Sequence, residues 1–191
     1  MSKARQKGFF TSLTFKKAIW LAPVLYLFHI IEEGAFGFHV FMTTYRGQDL
    51  TFEGFIIVNA VIMLSYFLMN GIFTIYSNRL TAFFALGGII AAQFFNAFFH
   101  LIMTIHFGAY CPGLITGFTL YVPFVILLVR MAYREGYITK TRIVVLFILG
   151  AIMMTAFEFE SLRPIVFFGW LGIAVTTTIL YRFTKAGKTG K

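Results

Sequence analysis

The segment LTAFFALGGIIAAQFFNAFFHLIMTIHF, residues 80–107, contains no Asp, Glu, Lys or Arg. A helix needs about 20 predominantly apolar residues to cross the hydrocarbon core of a bilayer, so this segment is long enough to span a membrane. The whole chain of 191 residues is 59% apolar and 12% charged, whereas soluble domains carry about 25% charged residues. This composition indicates an integral membrane protein. It excludes a soluble enzyme, a disordered chain and, because there is one cysteine, a disulfide-stabilised secreted domain.

Five further apolar runs lie on either side of this segment. They are separated by short stretches that contain charged residues, Gly or Pro, such as Arg46-Gly47 and Arg163-Pro164. We therefore predict an all-α fold, a polytopic bundle of six transmembrane helices that forms a single membrane domain over residues 1–191. The predicted helices cover about 18–42, 54–77, 80–107, 113–133, 141–160 and 164–183.

Lys and Arg are distributed unevenly between the two sides of this predicted bundle. Of the 16 Lys and Arg residues, all except Arg46 and Arg163 lie on the side that holds both termini. Cytoplasmic loops carry an excess of Lys and Arg, so we predict cytoplasmic termini in a multi-pass protein of the cell membrane. The net charge of +9 is attributed to contact with anionic headgroups of the lipid bilayer. No nucleic acid is expected as a partner.

The first predicted helix contains the sequence His29-Ile30-Ile31-Glu32-Glu33. Ionisable groups inside a membrane span are costly and indicate a functional site. His29 and Glu33 are four residues apart and share one face of the helix, whereas Glu32 lies about 100° around the helix from Glu33. We expect these side chains in the middle to outer half of the bilayer.

The third predicted helix carries a second polar stripe, formed by Gln93, Asn96 and His100 at spacings of three and four. The first and third helices run in the same direction, so His100 is expected at a depth similar to that of Glu33. Two polar stripes at matching depth predict one buried site between the two helices.

Three short motifs occur in order along the chain: HxxEE at residues 29–33, NxxxH at residues 96–100 and YxPG at residues 110–113. With these motifs the chain resembles the HXXEE domain family of small integral membrane proteins. The resemblance covers the first four predicted helices and does not reach the last two. It implies that the motif residues form the functional site, and it is compatible with a metal-dependent hydrolase.

The polar cluster has the composition of a hydrolytic metal site. Zinc in hydrolases is often held by two His and one carboxylate, with one position left for water, and the same donors suit iron or manganese. We predict that His29, Glu33 and His100 bind a divalent metal such as zinc. Glu32 is predicted as the catalytic general base, and Asn96 as a catalytic residue that orients a ligand or holds an oxyanion. The predicted function is a membrane-embedded metal-dependent hydrolase acting on a lipid or other hydrophobic substrate.

Other polar residues near the predicted site are candidates for accessory roles. The tyrosine of YxPG is expected to fold over the mouth of the site or to reach the substrate, although a Pro-Gly pair is also what a plain turn requires. One acidic residue is an alternative general base. The accessory candidates are Tyr110, Gln93, His39, His106 and Glu158, the last of which is that acid.

Two other functions fit the same cluster. One of two adjacent carboxylates in a low dielectric binds a proton readily, and His titrates near neutral pH, which favours a proton- or ion-coupled small transporter. The third possibility is a non-catalytic metal-binding or structural protein. In that case hydrogen bonds between helices, at about 0.6–2 kcal/mol each, fix the bundle.

Overall fold

The computed structural model describes residues 13–159 and 161–189, and every regular element in these residues is helical. Two π-helical turns, Ile90–Phe95 and Gly117–Tyr121, each connect two consecutive helices. The helices are α1 (Phe15–Ala18), α2 (Leu21–Ala35), α3 (Phe38–Arg46), α4 (Phe52–Tyr76), α5 (Arg79–Ile89), α6 (Asn96–Phe107), α7 (Leu114–Thr116), α8 (Val122–Arg134), α9 (Lys140–Phe157) and α10 (Arg163–Thr189).

Six segments of the described chain are long and apolar enough to cross a membrane, which confirms the predicted all-α bundle with six spans. The protein is therefore a multi-pass membrane protein. The second, third and fourth predicted helices agree with the observed ones to within two residues. The spans are Phe15–Ala35, Phe52–Tyr76, Arg79–Phe107, Leu114–Arg134, Lys140–Phe157 and Arg163–Arg182.

The predicted bounds of the first helix, 18–42, were wrong at the C-terminal end. The span begins earlier, at Phe15, and ends at Ala35. Gly37 follows with φ of +74°, a left-handed conformation that glycine adopts without a Cβ clash and that ends a helix. The chain then restarts as the short helix α3. An apolar run continues through this break, so hydropathy alone does not reveal it.

The last two predicted helices also differ from the observed ones. The fifth was predicted to reach residue 160, but α9 ends at Phe157, and residue 160 lies outside the described residues. The sixth predicted span, 164–183, agrees to within one residue with the observed span Arg163–Arg182, but the helix α10 itself continues to Thr189. Helix formation needs no apolar side chains, so α10 extends past the end of the apolar run.

Most basic residues assigned to one side of the membrane do lie at one end of the bundle, here called the basic end. There the backbone N–H of Phe15 donates to the Glu135 carboxylate at 2.6 Å. Arg79 donates to the carbonyl of Gly136 at 3.0 Å. Lys3, Arg5, Lys7 and Lys191 belong to the same predicted set and lie outside the described residues.

The opposite end of the bundle holds the two remaining arginines. Arg46 forms a salt bridge with Glu158, and Arg163 donates to the carbonyl of Phe157 at 3.2 Å. The uneven distribution of charge between the two ends therefore agrees with the sequence. Which end faces the cytoplasm stays a prediction.

The third span, Arg79–Phe107, is the centre of the bundle. In its apolar window 61% of the residues are buried, against 11% in each of the last two spans. It packs against α4 on one side and against α9 and α10 on the other. Gly87 allows the closest of these approaches, because a Cβ there would lie 2.5 Å from the Trp170 ring. The candidate site lies where this central span meets α2.

Candidate metal centre

His29, Glu33 and His100 meet at one point in the bundle. The Oε1 atom of Glu33 lies 3.4 Å from Nε2 of His29 and 3.3 Å from Nε2 of His100. All three side chains are buried, with exposed fractions of 1%, 5% and 0%. Each offers one ligand atom, and these atoms lie within 4.8 Å of one another. The convergence of the two polar stripes is thus observed.

The two imidazole Nε2 atoms at this point are buried, and neither makes a hydrogen bond within the described part of the chain. Leaving a buried polar atom without a partner costs about 1–3 kcal/mol, and such atoms in folded proteins call for an explanation. A divalent cation between the three ligand atoms would engage both nitrogen lone pairs and neutralise the Glu33 carboxylate. The donor set therefore fits a metal ion.

The other ring nitrogen of His29 is held by a threonine. Nδ1 of His29 lies 2.8 Å from Oγ1 of Thr116, and the Thr116 hydroxyl donates to the carbonyl of Gly113 at 3.4 Å. A Thr116 hydroxyl that donates to Gly113 can accept from Nδ1–H of His29. In that tautomer Nε2 of His29 carries a free lone pair, as a metal ligand requires.

Cys111 contacts Nδ1 of His100, as Thr116 contacts Nδ1 of His29. Sγ of Cys111 lies 3.3 Å from Nδ1 of His100, and the backbone N–H of Cys111 donates to Oγ1 of Thr104 at 3.0 Å. Burial raises the pKa of the Cys111 thiol, so the sulfur is neutral and does not compete with Glu33 for a cation. No role was predicted for Cys111 or Thr116, and their position in or just after YxPG is the signal that could have pointed to them.

Glu32 points away from the metal ligands and towards residues 110–116, here called the cap segment. Its Oε1 accepts from the backbone N–H groups of Gly113 at 3.0 Å and Ile115 at 3.1 Å, and from the Tyr110 hydroxyl. Its Oε2 accepts from the N–H of Thr116 at 2.7 Å. These N–H groups at the start of α7 have no partner within the helix, so a carboxylate is well suited to them.

Tyr110 contacts Glu32 rather than the three ligand residues, and its predicted place over the mouth of the site stays a prediction. Partial burial and the hydrogen bond to the carboxylate raise the pKa of the Tyr110 hydroxyl, so the hydroxyl keeps its proton and donates it to this bond. The predicted role of Glu32 as general base stays a prediction, because its carboxylate is already engaged by four donors.

The cap segment lies directly against both imidazoles. Gly113 has φ of +104°, and a Cβ at this position would come within 2.6 Å of Cε1 of His100 and 2.7 Å of Cε1 of His29. Only glycine allows the backbone to approach the two rings so closely. The HxxEE and YxPG motifs are therefore two halves of one structure, in which Glu32 holds the cap and Glu33 completes the ligand set.

Asn96 and Gln93 have different surroundings. Asn96 lines a cavity of about 170 Å³ that also borders His29 and Glu33, and its Oδ1 is buried without a hydrogen-bond partner in the described residues. It follows directly on the π-helical turn Ile90–Phe95, and such turns are frequent at functional sites. Gln93 instead donates to the carbonyl of Ala22 at 2.8 Å, and so ties the third span to α2.

The remaining accessory candidates lie away from the three ligand residues. The His39 ring packs against Phe52, with 5.3 Å between centroids, and His106 is exposed at the end of α6. Glu158 is paired with Arg46, and burial raises its pKa although the arginine partly offsets this effect. None of the three belongs to the group of ligand atoms found in the described chain.

Part of the chain matches one known protein family. Residues 20–128 match a family described as protein of unknown function with HXXEE motif. No match is found among the curated proteins or among the solved structures. The matched region covers more than half of the chain and contains the three ligand residues together with the whole cap segment. On this match, the protein belongs to the HXXEE family.

Proposed function

We propose that this protein is a membrane-embedded metal-dependent hydrolase of the cell membrane, and that its substrate is a lipid or another hydrophobic molecule. One observation carries the proposal: two imidazoles with free Nε2 atoms and one carboxylate converge in the buried part of the bundle, and two of these residues, His29 and Glu33, line a largely apolar cavity. Two His and one carboxylate form a common ligand set of catalytic zinc, which leaves a position for water.

A divalent metal, when bound, supplies Lewis acidity and an activated water at neutral pH. Zinc, iron and manganese all suit the donor set. The surrounding protein fixes the ligands: Thr116 and Cys111 hold the two imidazoles from behind, as partners of metal-bound His commonly do. Residues of the cap segment cover the centre and exclude water from that side.

The cavity side of the centre is where a substrate would bind. The Asn96 side chain lies in the cavity wall beside His29 and Glu33, where its amide can orient a substrate carbonyl. Glu32 is the predicted general base, but its contacts support a role in holding the cap segment more than a role in proton transfer. The two roles are separated by the variants described in the Discussion.

A proton- or ion-coupled carrier is the second candidate, and a specific feature favours it. Several buried polar atoms around the site and towards the basic end have no hydrogen-bond partner in the described residues. Such atoms commonly bind internal water, and a file of water would conduct protons. They are Tyr66 Oη, Asn70 Oδ1, Gln93 Oε1 and Tyr121 Oη.

Elemental analysis of protein purified without chelators tests the proposal. We expect about one divalent metal per chain, lost in Glu33→Gln and in His100→Ala because each removes a ligand. The matched control is His106→Ala, which removes an exposed histidine of the same helix and should keep the metal.

Full metal content in Glu33→Gln and His100→Ala would contradict the metal centre. Absence of metal from the wild type, together with proton uptake into proteoliposomes that depends on Glu33, would favour the carrier instead.

A further inference from the structure

We propose that the cavity beside the metal centre is a groove for one acyl chain of a membrane lipid, which enters sideways from the bilayer between α4 and α10. The acyl carbonyl would then lie at the metal centre. The position of the carbonyl rests on the proposed hydrolase function, whereas the binding of the chain does not.

The groove is long and runs into the membrane. On one wall it is lined by α4 over residues 55–69, and on its floor by the third span over residues 85–99. Each of these stretches rises about 21 Å at about 1.5 Å per residue. The hydrocarbon core of a bilayer is about 30 Å thick, so a single leaflet measures about 15 Å. A long hydrocarbon chain therefore fits along the groove.

The two ends of the groove differ in polarity. Towards the Arg46 end it passes His29 and Glu33 and reaches three polar residues. Towards the basic end it is lined by the apolar residues Met69, Ala85 and Leu171. The polar residues beyond the centre are Gln48, Glu158 and Arg163. An amphiphile thus fits in one direction, with its headgroup at the polar mouth and its chain pointing to the basic end.

Three polar side chains of the lining, Tyr26, Asn59 and Ser65, are satisfied internally, whereas the Tyr66 hydroxyl in the same lining has no hydrogen-bond partner in the described residues. The hydroxyl of Tyr26 donates to Oδ1 of Asn59, and the amide of Asn59 donates to the carbonyl of Phe55 at 2.9 Å. The Ser65 hydroxyl donates to the carbonyl of Ile62. A hydrocarbon chain beside these residues leaves their hydrogen bonds intact.

The groove is open on the side that faces lipid. Several of its lining residues are only partly buried, among them Val58 and Ile62 on α4 and Val166 and Phe167 on α10. Both helices pack on the third span, which forms the floor between them. A chain can therefore leave the bilayer and enter the groove without crossing water.

Polar contacts link neighbouring helices at both ends of this opening. At the basic end, Arg182 donates to the Tyr76 hydroxyl at 3.4 Å and so joins α10 to α4. At the other end, the Arg46–Glu158 salt bridge joins α3 to α9. Between these links the walls of the groove are mostly apolar, with Asn59, Ser65 and Tyr66 as the polar residues on α4.

The enclosed part of the groove admits a segment of a single chain. Its volume of about 170 Å³ is close to that of a cavity of roughly 150 Å³ that binds one benzene, so the rest of a long chain lies along the lipid-facing opening. Gly88 contributes to this space, because a Cβ there would already lie 3.6 Å from Nε1 of Trp170. A larger side chain at Gly88 would fill the groove between the third span and α10.

Photocrosslinking in nanodiscs with hexadecanoic acid that carries a diazirine near its methyl end tests the groove. We expect the label on residues of its closed end, such as Met69 and Leu171. Gly88→Leu should lower the apparent affinity about tenfold, the effect of excluding roughly two methylenes from the groove. Gly172→Leu is the matched control, because a Cβ there meets open space and the residue is exposed to lipid.

Ser65→Phe narrows the same groove from α4. It is a second, independent variant in case Gly88→Leu loses labelling because it does not fold. Saturable labelling lost in both groove variants and kept in Gly172→Leu supports the proposal. Labelling confined to lipid-facing residues such as Ile173, unchanged in either groove variant, overturns it.

The same labelling in Glu33→Gln separates this proposal from the hydrolase. If the chain labels the groove but the wild type binds no metal and cleaves no acyl ester, the groove stands and the hydrolase falls. If metal is bound and a substrate is cleaved while the groove is never labelled, the hydrolase stands and the acyl groove falls.

Discussion

Two adjacent glutamates of one helix face different partners. Glu33 shares a face with His29 and points towards the two imidazoles of the candidate metal centre, while Glu32, about 100° further around the helix, binds the cap segment. Each carboxylate oxygen of Glu32 is used in this contact. One short motif therefore both completes a ligand set and fixes the loop that covers it.

Glu32→Gln should lower the stability of the protein and have a smaller effect on the positions of the three candidate ligand atoms. An amide at this position brings an N–H₂ group against N–H donors, so we expect a loss of about 1–3 kcal/mol in the free energy of unfolding. Denaturation in mild detergent measures this, and Glu53→Gln, an exposed residue in the first turn of α4, is the control. Unchanged stability and metal content together with lost hydrolysis would instead support Glu32 as the general base.

Thr116→Val should weaken metal binding by roughly 10–100-fold, the usual effect of removing a partner of a metal-bound His. Valine keeps the shape but cannot accept from Nδ1–H of His29. Thr116→Ser should restore affinity, and Thr119→Val, which removes an exposed hydroxyl of the same span, should have no effect. Competition with a metal-binding dye measures the three affinities. Equal affinity in Thr116→Val and the wild type would exclude the positioning role.

At the scale of elements, the cap segment depends on one backbone approach. Gly113→Ala places a methyl group 2.6–2.7 Å from both imidazole rings, so the segment must move away or the rings must turn. We expect loss of metal binding and a lower melting temperature. Gly108→Ala is the matched control: it also has positive φ, at +62°, but meets nothing within 4 Å. It should show only the backbone strain of roughly 1–2 kcal/mol. Similar metal affinity in the two variants would contradict the close approach.

The same elements show how far the sequence determines the site. The spacing of His29, Glu33 and His100 predicts their convergence, because helical period and depth are local properties of two spans. The contacts of Thr116 and Cys111 depend on how the chain between two spans folds back over α2, and no periodicity encodes that path. The break at Gly37 was missed for a related reason, since one glycine in an apolar run gives no signal in hydropathy.

At the scale of the whole molecule, the charge distribution and the position of the site relative to the membrane are linked. The metal centre and the polar mouth of the groove lie towards the end of the bundle that holds Arg46 and Arg163, while the other described basic residues lie towards the basic end. Because positive loops face the cytoplasm, the polar mouth is predicted to face outward. A substrate would then come from the outer leaflet.

Cysteine labelling of intact cells tests this orientation. In a Cys111→Ser background, Asp49→Cys places an exposed thiol near Arg46, and Lys140→Cys places one at the basic end. A membrane-impermeant maleimide should label Asp49→Cys in intact cells and Lys140→Cys only after permeabilisation, because the reagent reaches only the outer face. The reverse pattern would invert the orientation and assign the site to the cytoplasmic leaflet, while labelling of both positions in intact cells would contradict an odd number of spans between them.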